Sequence, residues 1–213
     1  MSELWKNNKL IITAYSAVVI ACLFILISYS KISIHLFINK INSPVADHFF
    51  KYITYLGDGI FVIIASILIS FRKIKYGLYS LVVYASSGIT VQLMKHLIWY
   101  NAERPAKLLE NNSLHFIEGV KLHMMHSFPS GHTASAFGLC FVLIFLTRNK
   151  LLHVLLLICA LLTGYSRMYL SQHFLIDVFT GSIIGAICPV LLYNIIINKN
   201  SKWLEFSIIP VND

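Results

Sequence analysis

Charged side chains are scarce in this sequence. Only 12% of the 213 residues are Asp, Glu, Lys or Arg, which is about half the share found in an ordinary soluble domain. Hydrophobic residues make up 57% of the chain, and they form runs long enough to cross a bilayer core of roughly 30 Å. The scarcity of charge argues against a soluble globular domain and predicts an integral membrane protein.

Paired cysteines are also missing. None of the cysteines belongs to a C-x-x-C pair, and all four fall inside apolar runs: Cys22, Cys140, Cys159 and Cys188. This pattern argues against disulfides and against cysteine metal ligands, and it is typical of small buried hydrophobic side chains.

Acidic residues are fewer than basic ones. The chain has 9 Asp and Glu against 17 Lys and Arg, which gives a formal net charge of +8. The basic residues form short clusters between apolar runs rather than a surface stripe, and such clusters anchor the topology of membrane proteins. No nucleic-acid partner is therefore expected, and the bilayer itself is the expected partner.

The apolar runs predict an all-α, polytopic membrane protein that forms a single membrane-embedded domain over residues 1–213. Residues 30–51 mix lysines with large apolar side chains and predict an amphipathic segment at the interface. The first run is expected to be retained, because no A-x-A signal-peptidase site follows it. Six transmembrane helices are predicted, at about Leu10–Tyr29, Tyr52–Phe71, Tyr76–Trp99, His132–Leu146, Leu151–Tyr165 and Phe174–Ile197.

An even number of spans places both termini on one side of the membrane. The basic clusters then share that side, which the positive-inside rule identifies as cytoplasmic. The clusters are Lys6/Lys9, Arg72–Lys75, Arg148/Lys150 and Lys199/Lys202. The long polar loop at 101–131 and the connection Ser166–Asp177 are therefore expected to face the periplasm or exterior of the inner (plasma) membrane.

The connection Ser166–Asp177 carries more polar chemistry than a short turn needs. His173 and Asp177 are four residues apart, so on a helix they share one face. At this spacing a carboxylate can hold one imidazole nitrogen and leave the other free to react. A simpler interpretation is that Arg167 and Asp177 cap a helix beside a packed histidine.

A second polar segment, Pro129–His132, precedes the fourth apolar run. Ser130 and Gly131 are favourable at a helix start, where free backbone N–H groups and the helix dipole form an anion site. An ordinary N-cap accounts for Ser130 and Gly131 but not for His132. Three cations, Lys95, Arg104 and Arg167, occur in the outward-facing segments.

These cations have two possible functions. They could be anchors that contact lipid headgroups without specificity. Alternatively, two arginines suit bidentate binding of a phosphate, and His132 and His173 then complete a set for phosphoryl transfer.

At these motifs the chain resembles the type 2 phosphatidic acid phosphatase superfamily, which shares its fold with bacterial acid phosphatases and vanadium haloperoxidases. Two family motifs are intact in spacing: Pro129-Ser-Gly-His132, and Ser166-Arg167 followed by His173 and Asp177. The first motif, Lys, six residues, Arg-Pro, departs from the family because eight residues separate Lys95 from Arg104. Either the two extra residues loop out near Tyr100 and Asn101, or Lys95 does not reach the phosphate. The three motifs define a core at residues 95–177.

The resemblance implies a role for each residue of the motifs. His173 is the implied nucleophile, which forms a phosphohistidine, with Asp177 on its other nitrogen. His132 is the implied proton donor to the leaving oxygen. The implied phosphate-binding groups are Arg104, Arg167, Lys95, Ser130 and the Gly131 amide.

The implied function is an integral membrane lipid phosphatase that hydrolyses a phosphomonoester or diphosphate of a membrane lipid, with no metal or other cofactor. Phosphatidate, phosphatidylglycerol phosphate, undecaprenyl diphosphate and lipid A phosphates all fit such a site. Three alternatives remain open: a lipid phosphotransferase, a zinc-dependent hydrolase using His123, His126 and His132, and a non-enzymatic protein that binds or transports anionic lipids. The haloperoxidase branch is not expected, because this chain is too hydrophobic.

Overall fold

The structure, a computed structural model, describes residues 2–197 and 203–207, and within these ranges the regular elements are helices without a strand. The all-α prediction agrees with this architecture. The α-helices are α1 (Ser2–Ser28), α2 (Lys31–Lys40), α3 (Pro44–Ile53), α4 (Gly59–Ser70), α5 (Ile74–Leu93), α6 (Pro105–Leu108), α7 (Gly131–Leu146), α8 (Lys150–Tyr169) and α9 (Leu175–Ile197). A 3-10 helix, Thr54–Gly57, precedes α4, and a π-helical turn, Met94–Ile98, extends α5.

Four helical segments are long and apolar enough to cross a bilayer: Leu4–Ser28, Ile74–Ile98, Lys150–Tyr169 and Leu175–Ile197. The predicted second span is a broken one, in which Pro44–Gly57 and Gly59–Ser70 meet at an angle of 57°. If this bent pair crosses the membrane once, the described chain has five such segments. The protein is therefore a helical membrane protein, and the sixth predicted span depends on α7.

Helix α7 is short because it lies inside the bundle. Its 16 residues give a length of about 24 Å, less than the roughly 30 Å of a bilayer core. It packs against α5, α8 and α9, and most of its side chains are buried. Protein rather than lipid surrounds α7, so its length is not set by the bilayer thickness.

The α7–α9 contact depends on two glycines. Gly181 and Gly185 form a G-x-x-x-G motif on α9, the spacing that lets helix backbones approach closely in membranes. A Cβ at Gly181 would lie 2.5 Å from the carbonyl oxygen of Ser130, and one at Gly185 would overlap the carbonyl oxygen of Ala134. The backbone at the start of α7 therefore lies directly against the first half of α9.

Helices α2 and α3, predicted as an interfacial segment, cover the connection between α8 and α9. The His35 ring, on α2, packs edge-on against Phe174 at 5.5 Å between centroids and lies 3.2 Å from the Ser171 hydroxyl. On α3, Asp47 accepts a hydrogen bond from the Tyr169 hydroxyl (2.6 Å). These contacts fix the connection that carries His173.

The opposite end of the bundle is basic. Lys73 and Lys75, at the start of α5, both pair with Glu205. Lys6 and Lys150 line one cavity of about 120 Å³ where the starts of α1 and α8 meet. The predicted cluster Lys199/Lys202 lies outside the described residues.

Candidate active site

The predicted site residues converge at the other end of the bundle. The end of α5 supplies Lys95, the end of α8 supplies Arg167, the connection after α8 supplies His173, and the starts of α7 and α9 supply His132 and Asp177. The long polar loop between α5 and α7 closes over them and contributes Arg104. Residues separated by up to about 80 positions in the sequence thus line one pocket.

His173 and Asp177 are paired as their spacing predicts. The imidazole Nδ1 lies 3.3 Å from the Asp177 Oδ2, and both side chains are almost fully buried. On the other side of the ring, Nε2 lies 3.4 Å from the Arg104 Nη1. Because a guanidinium only donates hydrogen bonds, Nε2 is the acceptor in this contact and Nδ1–H donates to Asp177. This tautomer leaves the lone pair of Nε2 directed toward the cations.

Ser127 is a partner of Asp177 that the sequence did not reveal. Its hydroxyl donates to Oδ2 at 2.5 Å, and the Phe174 N–H donates to the same oxygen at 2.9 Å. The Ser127 N–H donates to the Ala102 carbonyl (2.9 Å), so this residue also holds the segment before Arg104. A serine three residues before Ser130 has no distinctive spacing, and only the fold places it beside the carboxylate.

Arg104 is buried and held by backbone carbonyls. Its Nε donates to the Met125 carbonyl (2.9 Å), and its Nη1 donates to the carbonyl and the side-chain oxygen of Gln172 (3.0 and 3.3 Å). Its backbone N–H donates to the Met124 carbonyl (2.9 Å). These contacts orient the guanidinium toward His173. Gln172, which sequence reasoning also missed, links Arg104 to the connection that carries His173.

Arg167 is buried as well, and one of its donors is unsatisfied. Its Nη1 donates to the Thr54 hydroxyl at 2.7 Å, while its buried Nε has no hydrogen-bond partner within the described structure. A buried guanidinium N–H without a partner is costly. An acceptor group placed against this N–H, such as a phosphate oxygen, would satisfy it.

Lys95 lies in the same pocket despite the two extra residues before Arg104. It sits in the π-helical turn, which closes with a hydrogen bond from the Trp99 N–H to the Met94 carbonyl (2.9 Å). The chain then turns at Tyr100 and Asn101, where the sequence allowed for a loop. The Lys95 ammonium is buried and within electrostatic range of Arg104, Arg167 and Asp177. Such π turns occur frequently at functional sites.

Ser130 and Gly131 begin α7 as the sequence indicates. The Ser130 side chain is the N-cap: its oxygen accepts hydrogen bonds from the Thr133 hydroxyl (2.8 Å) and the Thr133 N–H (3.4 Å). A Cβ at Gly131 would meet only Val91, at an ordinary 3.7 Å. Packing alone therefore does not require glycine at position 131. The absence of a side chain there leaves room in front of the first N–H groups of α7.

His132 is the most accessible member of the site. Its side chain is 37% exposed, and its Nε2 lies 4.0 Å from the Asp58 Oδ2. Asp58 caps α4 by accepting a hydrogen bond from the Ile60 N–H (2.8 Å). Sequence reasoning did not link Asp58 to His132, because nothing in the local pattern shows that α4 starts beside α7.

The pocket keeps its nucleophile candidate neutral. Burial, and after it the nearby cations Arg104, Arg167 and Lys95, hold the pKa of His173 well below its usual value. A neutral imidazole whose Nε2 carries no proton can attack phosphorus. Three cations at the same place can stabilise the charge of a phosphoryl group during its transfer.

A metal centre was the alternative for the histidines of the loop. Within residues 2–197 and 203–207, no group of three or more His, Cys, Asp and Glu side chains is placed to hold a metal ion. The His126 ring instead packs against His96, with centroids 4.8 Å apart. The described geometry therefore does not support a zinc site built from His123, His126 and His132.

Comparison with protein families gives one match that spans the site. The sequence model of the PAP2 superfamily matches residues 76–201, which is more than half of this chain. The matched region includes all the candidate site residues named from the sequence.

Curated relatives include phosphatidylglycerophosphatase B of Bacillus subtilis, which is 29% identical over 182 residues, 78% of this chain and 81% of the relative. The lipid A 4'-phosphatase of Bacteroides thetaiotaomicron is 39% identical over 66 residues, 31% of this chain and 29% of that protein. This chain thus spans less than a third of the length of the Bacteroides relative but most of the Bacillus one.

Two solved structures share the fold. The crystal structure of Aquifex aeolicus LpxE matches with a TM-score of 0.68 at 29% identity, over 76% of this chain and 93% of the other. A transmembrane PAP2-type phosphatidylglycerolphosphate phosphatase from Bacillus subtilis matches with a TM-score of 0.67 over 90% of this chain and 98% of the other. At 22% identity the second likeness concerns the fold alone.

Proposed function

The chain belongs to the PAP2 superfamily, and from this premise we propose that it is an integral membrane lipid phosphatase that acts through a phosphohistidine. The proposal depends mainly on the hydrogen bonds and the tautomer of His173. Its Nδ1–H donates to Asp177, and its unprotonated Nε2 faces Arg104. This arrangement suits nucleophilic attack on a phosphoryl group that the cations hold.

In the first half of the proposed reaction, the Nε2 of His173 attacks phosphorus and an N–P bond forms. The bond from phosphorus to the leaving oxygen breaks, and His132 donates a proton to that oxygen. Asp177 accepts the Nδ1–H hydrogen bond and stabilises the positive charge that develops on the ring. Arg104 and Arg167 bind the phosphoryl oxygens.

In the second half, water attacks phosphorus, the N–P bond breaks and phosphate is released. His132, which gave up its proton in the first half, takes one from the attacking water. Lys95 and the N–H groups at Gly131 complete the binding of the phosphoryl oxygens, and Ser130 holds the helix start that presents them.

The substrate is proposed to be a phosphomonoester or diphosphate of a membrane lipid. The relatives include a phosphatidylglycerophosphatase and a lipid A phosphatase, and the substrates in these names support this substrate class. The site also lies at helix ends, where a lipid headgroup can enter while its chains stay in the membrane.

The membrane arrangement is proposed to follow from the charge distribution. The site and the basic end of the bundle lie at opposite ends of α5 and α8. With the basic end in the cytoplasm, the site faces the exterior or periplasm of the inner membrane. This topology has six spans, and α7 is the span that lies buried inside the bundle. Both termini are cytoplasmic, and the six spans form a single domain.

The test is phosphate release from vesicles that contain phosphatidylglycerol phosphate, lipid A or undecaprenyl diphosphate. We expect His173→Ala to lower the rate by at least about a thousandfold, because the nucleophile is lost. His48→Ala is the matched control, since His48 is exposed and its ring packs beside Tyr52. Vanadate should inhibit release and EDTA should not. Full activity of purified His173→Ala protein would exclude the mechanism.

A further inference from the structure

Ser171, in the connection between α8 and α9, has a backbone conformation that is unusual for a residue with a side chain. Its φ angle is 53°, in the left-handed region, where a Cβ crowds the backbone and glycine is favoured. Ser171 is also buried. A strained conformation of this kind persists only where the surrounding structure holds it.

This conformation sets the position of His173. It turns the chain at the end of α8, so that the N–H groups of Gln172 and His173 both donate to the Arg167 carbonyl (2.9 and 3.1 Å). The Gln172 carbonyl in turn accepts a hydrogen bond from the Arg104 Nη1 (3.0 Å). The φ angle of Ser171 therefore determines how the proposed nucleophile lies relative to both arginines.

The side-chain contacts of Ser171 come from α2. Its Oγ accepts a hydrogen bond from the Asn39 Nδ2 (3.3 Å) and lies 3.2 Å from the His35 Nε2. His35 and Asn39 are four residues apart, so they share one face of α2, and both are buried. Asn39 is itself fixed, because its amide oxygen accepts from the His115 N–H (2.8 Å) and its amide nitrogen donates to the His115 carbonyl (2.9 Å). Two side chains of one helix thus hold the Ser171 hydroxyl.

Packing alone does not explain a histidine at position 35. Its Nδ1 is buried and has no hydrogen-bond partner in the part of the chain that the structure describes, and an unpaired buried polar atom is costly. A wholly apolar ring could pack against Phe174, as the His35 ring does, and would bury no such atom. The contact with Ser171 gives the imidazole a function beyond packing.

We propose that His35 and Asn39 are positioning residues of the active site, which hold Ser171 in its left-handed conformation and so place His173 for attack. The inference rests on the proposed function, since it takes His173 as the nucleophile. It extends the site to α2, which carries none of the groups named for the chemistry. Such positioning acts on the rate of the chemical step rather than on substrate binding.

Two substitutions at Ser171 separate the hydroxyl from the backbone conformation. Ser171→Ala keeps the Cβ, which disfavours a positive φ, but removes the contacts with His35 and Asn39. We expect it to lower kcat for phosphate release about tenfold and to change KM by less than about twofold. Ser171→Gly lacks the hydroxyl too, but glycine adopts a positive φ without strain, so its kcat should stay within about twofold of the wild type. The assay uses vesicles with the lipid that the wild type hydrolyses fastest among phosphatidylglycerol phosphate, lipid A and undecaprenyl diphosphate.

The same reasoning predicts a rescue of substitutions on α2. The double variant His35→Phe with Asn39→Ala, which keeps a ring beside Phe174, should also lose kcat about tenfold. Adding Ser171→Gly should return kcat to within about threefold of the wild type. A merely structural defect would not be rescued, because glycine supplies no new contact. Asn42→Ala is the matched control, since Asn42 is exposed and its side chain donates to the Asn39 backbone carbonyl (2.9 Å).

Equal rates for Ser171→Ala and Ser171→Gly, whether fast or slow, would overturn the proposal, and so would a double variant that glycine does not rescue. A second arm does not depend on turnover: hydrogen exchange of the Gln172 and His173 amides, measured by NMR on the full chain in detergent. Exchange should be about tenfold faster in the double variant and should slow again when Ser171→Gly is added. If the wild type released no phosphate from any of these lipids, the proposed function would fail, while the exchange rates would still decide whether α2 holds the connection.

Discussion

At the scale of single residues, Ser127 makes the shortest contact with Asp177. Its hydroxyl and the Phe174 N–H share the carboxylate oxygen that also faces His173. Replacing Ser127 with alanine leaves a buried carboxylate with one donor fewer, which costs about 1–3 kcal/mol in such surroundings. We expect Ser127→Ala to lower kcat for phosphate release about tenfold with little change in KM, because Asp177 then orients His173 poorly.

Ser127→Thr is the matched control, since it keeps the hydroxyl. We expect it to recover most of the lost kcat in the same vesicle assay. Should threonine be as slow as alanine, or should KM carry the effect, Ser127 does not act through the carboxylate.

The protonation state of His173 gives a second prediction at this scale. Its pKa is lowered by burial and by Arg104 among the cations, so the ring stays neutral as pH falls through 6.5, where a solvated histidine is half protonated. Nitrogen NMR of labelled histidines, assigned with His173→Gln, should show the neutral ring at pH 6.5. Arg104→Gln should move the midpoint upward. A midpoint near 6.5 in the wild type would contradict this account.

Sequence spacing was informative where the partners lie close along the chain. The four-residue spacing of His173 and Asp177 predicted their contact, and the N-cap pattern predicted the start of α7 at Ser130. Ser127 and Gln172 gave no such signal, because their hydrogen bonds join segments that are distant in sequence. Their roles follow from the way the loop folds back over Arg104.

At the scale of helices, the contact between α7 and α9 sets the distance between the two halves of the site. A Cβ at Gly181 would lie 2.5 Å from the Ser130 carbonyl oxygen, so Gly181→Ala must push the start of α7 away from α9. We expect a loss of about 1–3 kcal/mol in stability and a clear loss of phosphate release, measured by thermal unfolding in detergent and by vesicle assay.

Gly88→Ala is the control for that substitution, because nothing lies within 4 Å of a Cβ built there. It should leave both the unfolding temperature and the rate of phosphate release unchanged. If Gly181→Ala behaved in the same way, the close approach of the two helices would not matter for the site.

Helix geometry also explains the position of Lys95 at the end of α5, which the sequence left open. Counting residues left open whether Lys95 reaches the pocket, because two residues on a regular helix shift a side chain by about 3 Å and roughly 200°. The π-helical turn and the turn at Tyr100 and Asn101 accommodate the extra residues. A local change of helix type is not visible in the hydrophobic pattern.

At the scale of the whole molecule, the proposed topology predicts which positions a reagent can reach in intact cells. Lys121→Cys, at the site end, should react with a membrane-impermeant maleimide added outside. Arg148→Cys, exposed at the basic end, should react only after permeabilisation. The native cysteines lie within apolar helices and provide a low background. The opposite labelling pattern would place the site in the cytoplasm.

The number of spans was the least predictable feature at this scale. Hydropathy describes how apolar a run is but not whether lipid or protein surrounds it. Helix α7 is apolar because other helices bury it, and the second predicted span is bent where the chain changes direction at Asp58. Both facts depend on packing between segments that the sequence does not show side by side.

The site is built from the ends of apolar helices, and α5, α8 and α9 also carry exposed large hydrophobic side chains. In a bilayer such a site meets its substrate by lateral diffusion in two dimensions, so the effective concentration is a mole fraction of the membrane rather than an amount per volume of water. Adding inert lipid at constant bulk substrate should therefore slow phosphate release. The surrounding membrane thus acts as the solvent of the reaction.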